Sequence, residues 1–145
     1  MKISELIPQT IEVTVTTTIG LSAEGEPIVR QLPPFVLRIL TMHEWWEIGQ
    51  SVPEPAAPRD NKGKPLTDDL EYKQRRDNAE NERAFRRLAA ALDTPESGIE
   101  FETKTIADRA EELYAIAPSV FLALYGKLAE QVLGRSTRIS ANSFR

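Results

Sequence analysis

His43-Glu44, inside the stretch Thr41-Met42-His43-Glu44-Trp45-Trp46-Glu47-Ile48-Gly49, is the place where residue types and spacing come nearest to a catalytic pattern. A zinc peptidase helix carries a second histidine four residues after the first, so that two imidazoles hold the metal and the glutamate acts as base. Here that position is Glu47, and His43 is the only histidine of the chain. The absence of cysteine excludes thiolate zinc sites, disulfides and cysteine nucleophiles. No glycine-rich loop follows a strand pattern to cradle a phosphate, and a serine nucleophile would have His43 alone as its base. The carboxylates sit on faces that read as solvated. The expectation is a protein that is not an enzyme and that holds neither a metal nor a cofactor.

The same stretch is better explained as a structural anchor. Thr41 and Glu44 form a capping box: the hydroxyl takes the Glu44 N–H while the carboxylate reaches back to the Thr41 N–H. Met42, Trp45, Trp46 and Gly49 recur at spacings of three and four, which predicts that both indoles bury together on one side of a helix. The competing reading makes the pair an exposed aromatic contact, with Trp46 as the candidate partner-binding residue.

Upstream of that helix, Ile11, Val13, Val15 and Ile19 alternate with Glu12, Thr14, Thr16 and Thr18, the period-two pattern of a strand with one buried face. Ala23-Glu24-Gly25-Glu26-Pro27 supplies a turn, and Ile28 to Leu32 with Phe35 to Leu40 reads as the return strand. Pro33-Pro34 cannot donate to a ladder and must break or bulge it. The strand runs straight into Thr41, so the tryptophan helix is expected to fold back onto the sheet.

Residues 52–66 are rich in proline and polar residues and read as a linker or arm, with Pro55-Ala56-Ala57-Pro58 a weak PxxP pattern. Thr67 or Asp68 is expected to cap a long helix reaching about Leu92, with Glu71–Arg75 and Glu82–Arg86 as supporting pairs. Its apolar stripe, Phe85, Leu88 and Leu92, lies near the C-terminal end, so the first half projects into solvent or against a partner. Arg75, Arg76, Arg83, Arg86 and Arg87 suggest a phosphate-binding face, but Glu71, Asp77, Glu80 and Glu82 cancel most of its field. Thr105 with Asp108 caps a third helix whose stripe is Ile106, Ala110, Leu113 and Ala117. Pro118 opens a fourth, which Gly134 stops.

That last helix is apolar nearly all round. Phe121, Leu124, Tyr125, Leu128 and Val132 form one stripe, and Leu122, Gly126, Ala129 and Leu133 another on the opposite side. A helix of this kind is buried on both sides or keeps a patch for another chain, which makes Leu122, Gly126, Ala129 and Leu133 the candidate partner-binding residues alongside Trp46. The fold class expected is α+β: an N-terminal β-hairpin or small antiparallel sheet packed against a mainly α-helical bundle of about four helices. Residues 1–134 form one domain containing the arm, and 135–145 a disordered basic tail. Met1 to Pro8 is too short and charged for a signal peptide, no apolar run reaches membrane-spanning length, and the net charge of −4 argues against a nucleic-acid surface. A cytosolic location fits.

The order of parts resembles the short tail assembly chaperones of long-tailed bacteriophages and prophages. The residues that carry the resemblance are the hairpin ending in Leu40-Thr41, the Glu44-Trp45-x-x-Ile48-Gly49 helix and Val52-Pro53 leading into the arm. Arg83-Ala84-Phe85-Arg86-Arg87-Leu88-Ala89-x-Ala91-Leu92 and the apolar helix continue it to about Gly134. The resemblance implies a non-enzymatic protein of the host-cell cytoplasm, absent from the mature virion. It would bind the long helical tape measure protein and keep it soluble, with the tail tube protein as a second partner and with self-association. The tail after Gly134 lies outside the pattern and takes no role from it. The alternative from another class is a small regulatory or adaptor protein that contacts nucleic acid through the arginines of the long helix.

Overall fold

The computed structural model describes residues 1–6 and 9–134, so the disorder expected of 135–145 falls outside the described residues. A single 3-10 turn, Ile3–Leu6, precedes four strands and four helices: β1 (Thr10–Val13), β2 (Thr16–Leu21), β3 (Pro27–Gln31), β4 (Phe35–Arg38), α1 (Met42–Gln50), α2 (Leu70–Ala91), α3 (Ile106–Leu113) and α4 (Pro118–Leu133). The class is α+β, as the sequence predicts.

The strands form one long hairpin divided into two antiparallel ladders, β1 with β4 and β2 with β3. Leu32 N donates to Val15 O at 2.9 Å, and then Pro33 and Pro34, which have no N–H to give, end the pairing. Beyond this break the expected buried face is lost. Val13, Val15 and Leu37 are in the core, but Ile19 is 61% exposed and Leu21, Ile28 and Val29 are exposed with it. A register shift between Thr18 and Gly20 makes Ile19 the extra residue of a bulge. The β2–β3 ladder therefore extends past the helices with little cover, and its alternation reports pleat without burial.

The Thr41 capping box is present in full, with Glu44 N 3.1 Å from Thr41 Oγ1 and Thr41 N 3.2 Å from Glu44 Oε1. α1 does not fold back onto the sheet; it lies against α2 and α4. Arg38 ties it to β4 through a 2.8 Å ion pair with Glu44. α2 starts later than expected, at an Asp69 cap whose carboxylate accepts from Tyr72 N at 2.9 Å. Thr105 caps α3 as expected, but that helix ends at Leu113, four residues short of Ala117. Ala110 and Leu113 enter the core, while Ile106 and Ala117 stay exposed. Pro118 opens α4, and Gly134 closes it at φ +66°, a left-handed conformation that favours glycine.

The proline-rich arm is not a free linker. Val52 is buried, Leu66 N donates to Pro58 O at 2.7 Å, and Asp60 Oδ1 accepts from both Lys62 N and Lys64 N in a turn that Gly63 completes at φ +78°. Its prolines limit the conformations available to it, so a few hydrogen bonds suffice to order it.

One core cluster joins Val13, Val15, Leu37 and Leu40 of the hairpin to Trp45, Leu88, Leu92, Leu113, Leu124 and Leu128 of the helices. Through it runs a ladder of rings. Trp45 stacks on Tyr125 at 5.8 Å, Tyr125 on Phe121 at 5.6 Å and Phe121 on Phe85 at 4.0 Å, and Tyr114 tilts against Phe85 at 4.2 Å. The ladder crosses from α1 over α4 and α2 to the end of α3, and each end opens at a surface cleft.

Candidate functional site

At the α1 end of the ladder, the two tryptophans part company. Trp45 is 8% exposed, while Trp46 is 60% and Met42 57% exposed. A nine-residue helix lying on its neighbours along a single line buries one row, and Trp45 and Gly49 occupy it. Met42 and Trp46, four apart, form the next row out. The expected joint burial of the indoles is thus corrected: Trp45 is core, and Trp46 is exposed.

Trp46 borders a cleft of about 410 Å³ with Gly49, Val52, Pro53, Arg83 and Arg87. The arginines there are structural. Arg83, only 6% exposed, donates from Nε to Gly49 O at 3.0 Å and from Nη2 to Val52 O at 3.1 Å, while Glu54 (2.8 Å) and Glu80 balance its charge. It fastens the end of α1 and the start of the arm to α2. Arg87 lies 4.3 Å over the Trp45 ring, its Nε 3.1 Å from Trp45 O, and a β-carbon at Gly49 would collide with its Nη2. Arg86 bonds Ser51 Oγ at 3.2 Å and Glu82 at 2.7 Å. Of the five arginines weighed for phosphate binding, three are therefore held in internal contacts, and only Arg75 and Arg76 are exposed, Arg76 lying 5.8 Å from the Tyr72 ring.

The second stripe of α4 is partly corrected. Ala129 is 1% exposed and belongs to the core, because the buried arc of α4 takes in Leu128 and Ala129 side by side as well as Phe121, Leu124 and Tyr125. Leu122 and Leu133 are half-buried along the edge of that core. At Gly126 an added β-carbon would meet nothing within 4 Å, so the helix surface is open there.

At the other end of the ladder lies an apolar cleft of about 230 Å³, lined by Asn81 and Phe85 of α2, Tyr114 and Ile116 of the α3–α4 turn, and Pro118, Phe121 and Leu122 of α4. Of these only Leu122 stands out in the sequence as a contact residue. Tyr114 and Ile116 fall where the helical period breaks, and three elements must converge before they face Phe85. Tyr114 is half exposed; burial pushes its hydroxyl pKa up, Glu82 and Glu111 add to the rise, and Arg86 opposes it. Burial also raises Tyr125, against the pull of Arg87.

Among the described residues, no group of three or more histidine or acidic side chains is assembled to hold a metal ion, and no helix is long and apolar enough to cross a membrane. Comparison of the chain with protein-family models, with curated proteins and with solved structures gave no match.

Proposed function

We propose that this chain is a non-enzymatic tail assembly chaperone of a long-tailed phage or prophage, which binds the tape measure protein in the host cytoplasm and keeps it soluble while the tail assembles. The observation that supports the reading is apolar surface left over beside a filled core. Leu122 borders an aromatic cleft, α4 is open at Gly126 and edged by Leu133, and Trp46 stands free at the opposite end of the ring ladder. A protein that holds an apolar helix in solution needs such surface, which a self-contained monomer does not. The uncovered β2–β3 ladder, with Ile19, Leu21 and Val29 outward, suits contacts between copies or with the tail tube protein. The regulatory alternative is weakened by the internal use of Arg83, Arg86 and Arg87, which leaves Arg75 and Arg76 of the five long-helix arginines exposed to meet phosphates.

The test is co-expression with the very long helical protein encoded in a neighbouring reading frame. The long protein should move from the insoluble to the soluble fraction only when this chain is present. If the long protein is equally soluble alone, or stays insoluble with the chain in excess, the chaperone role is refuted.

A further inference from the structure

We infer that the outer edge of β2 pairs with the same edge of a second copy of the chain, so that two β2–β3 ribbons join about a two-fold axis into one four-stranded antiparallel sheet. The inference stands on the hairpin alone and does not depend on the chaperone reading.

Main-chain parity identifies the groups that the ribbon leaves unused. In an antiparallel ladder, alternate residues turn their N–H and C=O towards the paired strand, and the residues between them turn theirs away. Leu32 N donates to Val15 O, and Ser22 N to Glu26 O. Counting from these bonds, Thr17 and Arg30 face inward as a pair. Thr14, Thr16 and Thr18 then face outward on one edge, and Pro27, Val29 and Gln31 on the other. Among the described residues, no third strand lies on either edge.

The two edges differ in what they accept. On β3 the outward row starts at Pro27, which has no N–H, and the strand soon runs into Pro33-Pro34. Further along, Val36 N of β4 is already taken by Ser97 O at 3.2 Å. On β2 every outward residue keeps its N–H, and neither proline nor charge occurs from Val13 to Ser22. Only the bulge at Ile19 interrupts that edge. A ribbon with one edge closed cannot stack head to tail into a filament. Of the edge pairings between copies, β2 on β2 is the one left, and it is isologous and closes at a dimer.

The threonines set the register. With Thr16 on the axis, Thr14 of each copy lies opposite Thr18 of the other, and the three pairs exchange about six main-chain hydrogen bonds. All three side chains are exposed, so they meet across the junction as threonine pairs, a favourable cross-strand combination. Glu12 falls opposite Gly20, so no like charges face each other. Beyond the bulge, the exposed Ile19 and Leu21 run beside β1 of the other copy and lose part of their contact with water. A two-stranded ribbon is marginal alone, whereas four strands are not. The interface is small, below about 1,200 Å² in total, so the dimer dissociates on dilution.

Sedimentation equilibrium of the full chain over a wide concentration range should show a monomer passing to a dimer, with no larger species. Thr16→Pro removes an outward N–H and spares the inward ladder, and Thr16→Lys sets like charges on the axis. Both should abolish the dimer with unchanged circular dichroism, and salt should restore it for Thr16→Lys alone. The chain has no cysteine, so single cysteines read the register directly. Thr16→Cys should cross-link to itself under mild oxidant. Thr14→Cys and Thr18→Cys should cross-link when mixed but not singly, because each lies about 14 Å from its equal along the strands. A chain that stays monomeric throughout would overturn the proposal, as would a dimer that survives both Thr16 substitutions or three cysteine variants that cross-link to themselves equally. A monomeric chain that takes up a threonine-rich strand peptide at this edge would assign the edge to a foreign strand instead.

Discussion

Arg83 shows how much one side chain holds together at the residue scale. It satisfies two buried carbonyls, Gly49 O and Val52 O, on segments more than thirty residues away in sequence. Removing it leaves those carbonyls and two acidic neighbours without their partner, so Arg83→Ala should destabilise the chain by about 3–5 kcal/mol in urea unfolding. Glu44 is coupled to pH. Burial alone would raise its carboxyl pKa, but hydrogen bonds from Arg38 and Thr41, with the Arg38 charge, outweigh burial and hold it below the ordinary carboxylate value. A depressed folded-state pKa contributes stability that is full above the unfolded pKa and is lost as pH falls through the folded one. Glu44→Gln should therefore flatten the loss of stability on acidification below about pH 5, read as melting temperature against pH. The pair is a third exposed, so solvent screening keeps the effect small.

At the scale of elements, the two tryptophans of α1 separate fold from contact. Trp45→Ala should cost about 3–5 kcal/mol, and Trp46→Ala about 0.5 kcal/mol or less. In single-tryptophan variants, emission from Trp45 should be blue-shifted and shielded from a soluble quencher, and emission from Trp46 should be near that of free tryptophan and fully quenched. The sequence carried the caps and breaks well: the Thr41–Glu44 box, the Thr105 cap, the Pro33-Pro34 interruption, and the Pro118 start and Gly134 stop of α4 are all local chemistry, and all are in place. What depends on the partner element was not legible. Helical period puts Trp46 beside Trp45 but does not say that α1 meets only one line of neighbours. It puts Ala129 opposite Leu124 but does not give the width of the buried arc, and strand alternation at Ile19 does not reveal that no helix reaches that far. Of the candidate site, Trp46, Leu122, Gly126 and Leu133 lie at or beside open surface; the cleft was hidden because Tyr114 and Ile116 lie in a turn without period.

The whole molecule is a filled core with an apolar cleft at one end of a ring ladder, a cleft lined by Trp46 and charged side chains at the other, and an uncovered hairpin to one side. The exposed apolar residues of that hairpin contribute little to the monomer, so Ile19→Thr, Leu21→Thr and Val29→Thr should each change stability by no more than about 0.5 kcal/mol. If the hairpin serves contacts between chains, the triple variant should elute as a smaller species at equal concentration. The central claim is that the leftover surface keeps an apolar helical client in solution without catalysis. The most direct measurement is light scattering of a purified tape measure segment diluted from denaturant with increasing amounts of this chain and no nucleotide. The account predicts that scattering falls to baseline near stoichiometric ratios, and that Leu122→Asp, still folded by circular dichroism, fails to suppress it. Scattering unchanged at a several-fold excess of the folded chain would contradict it.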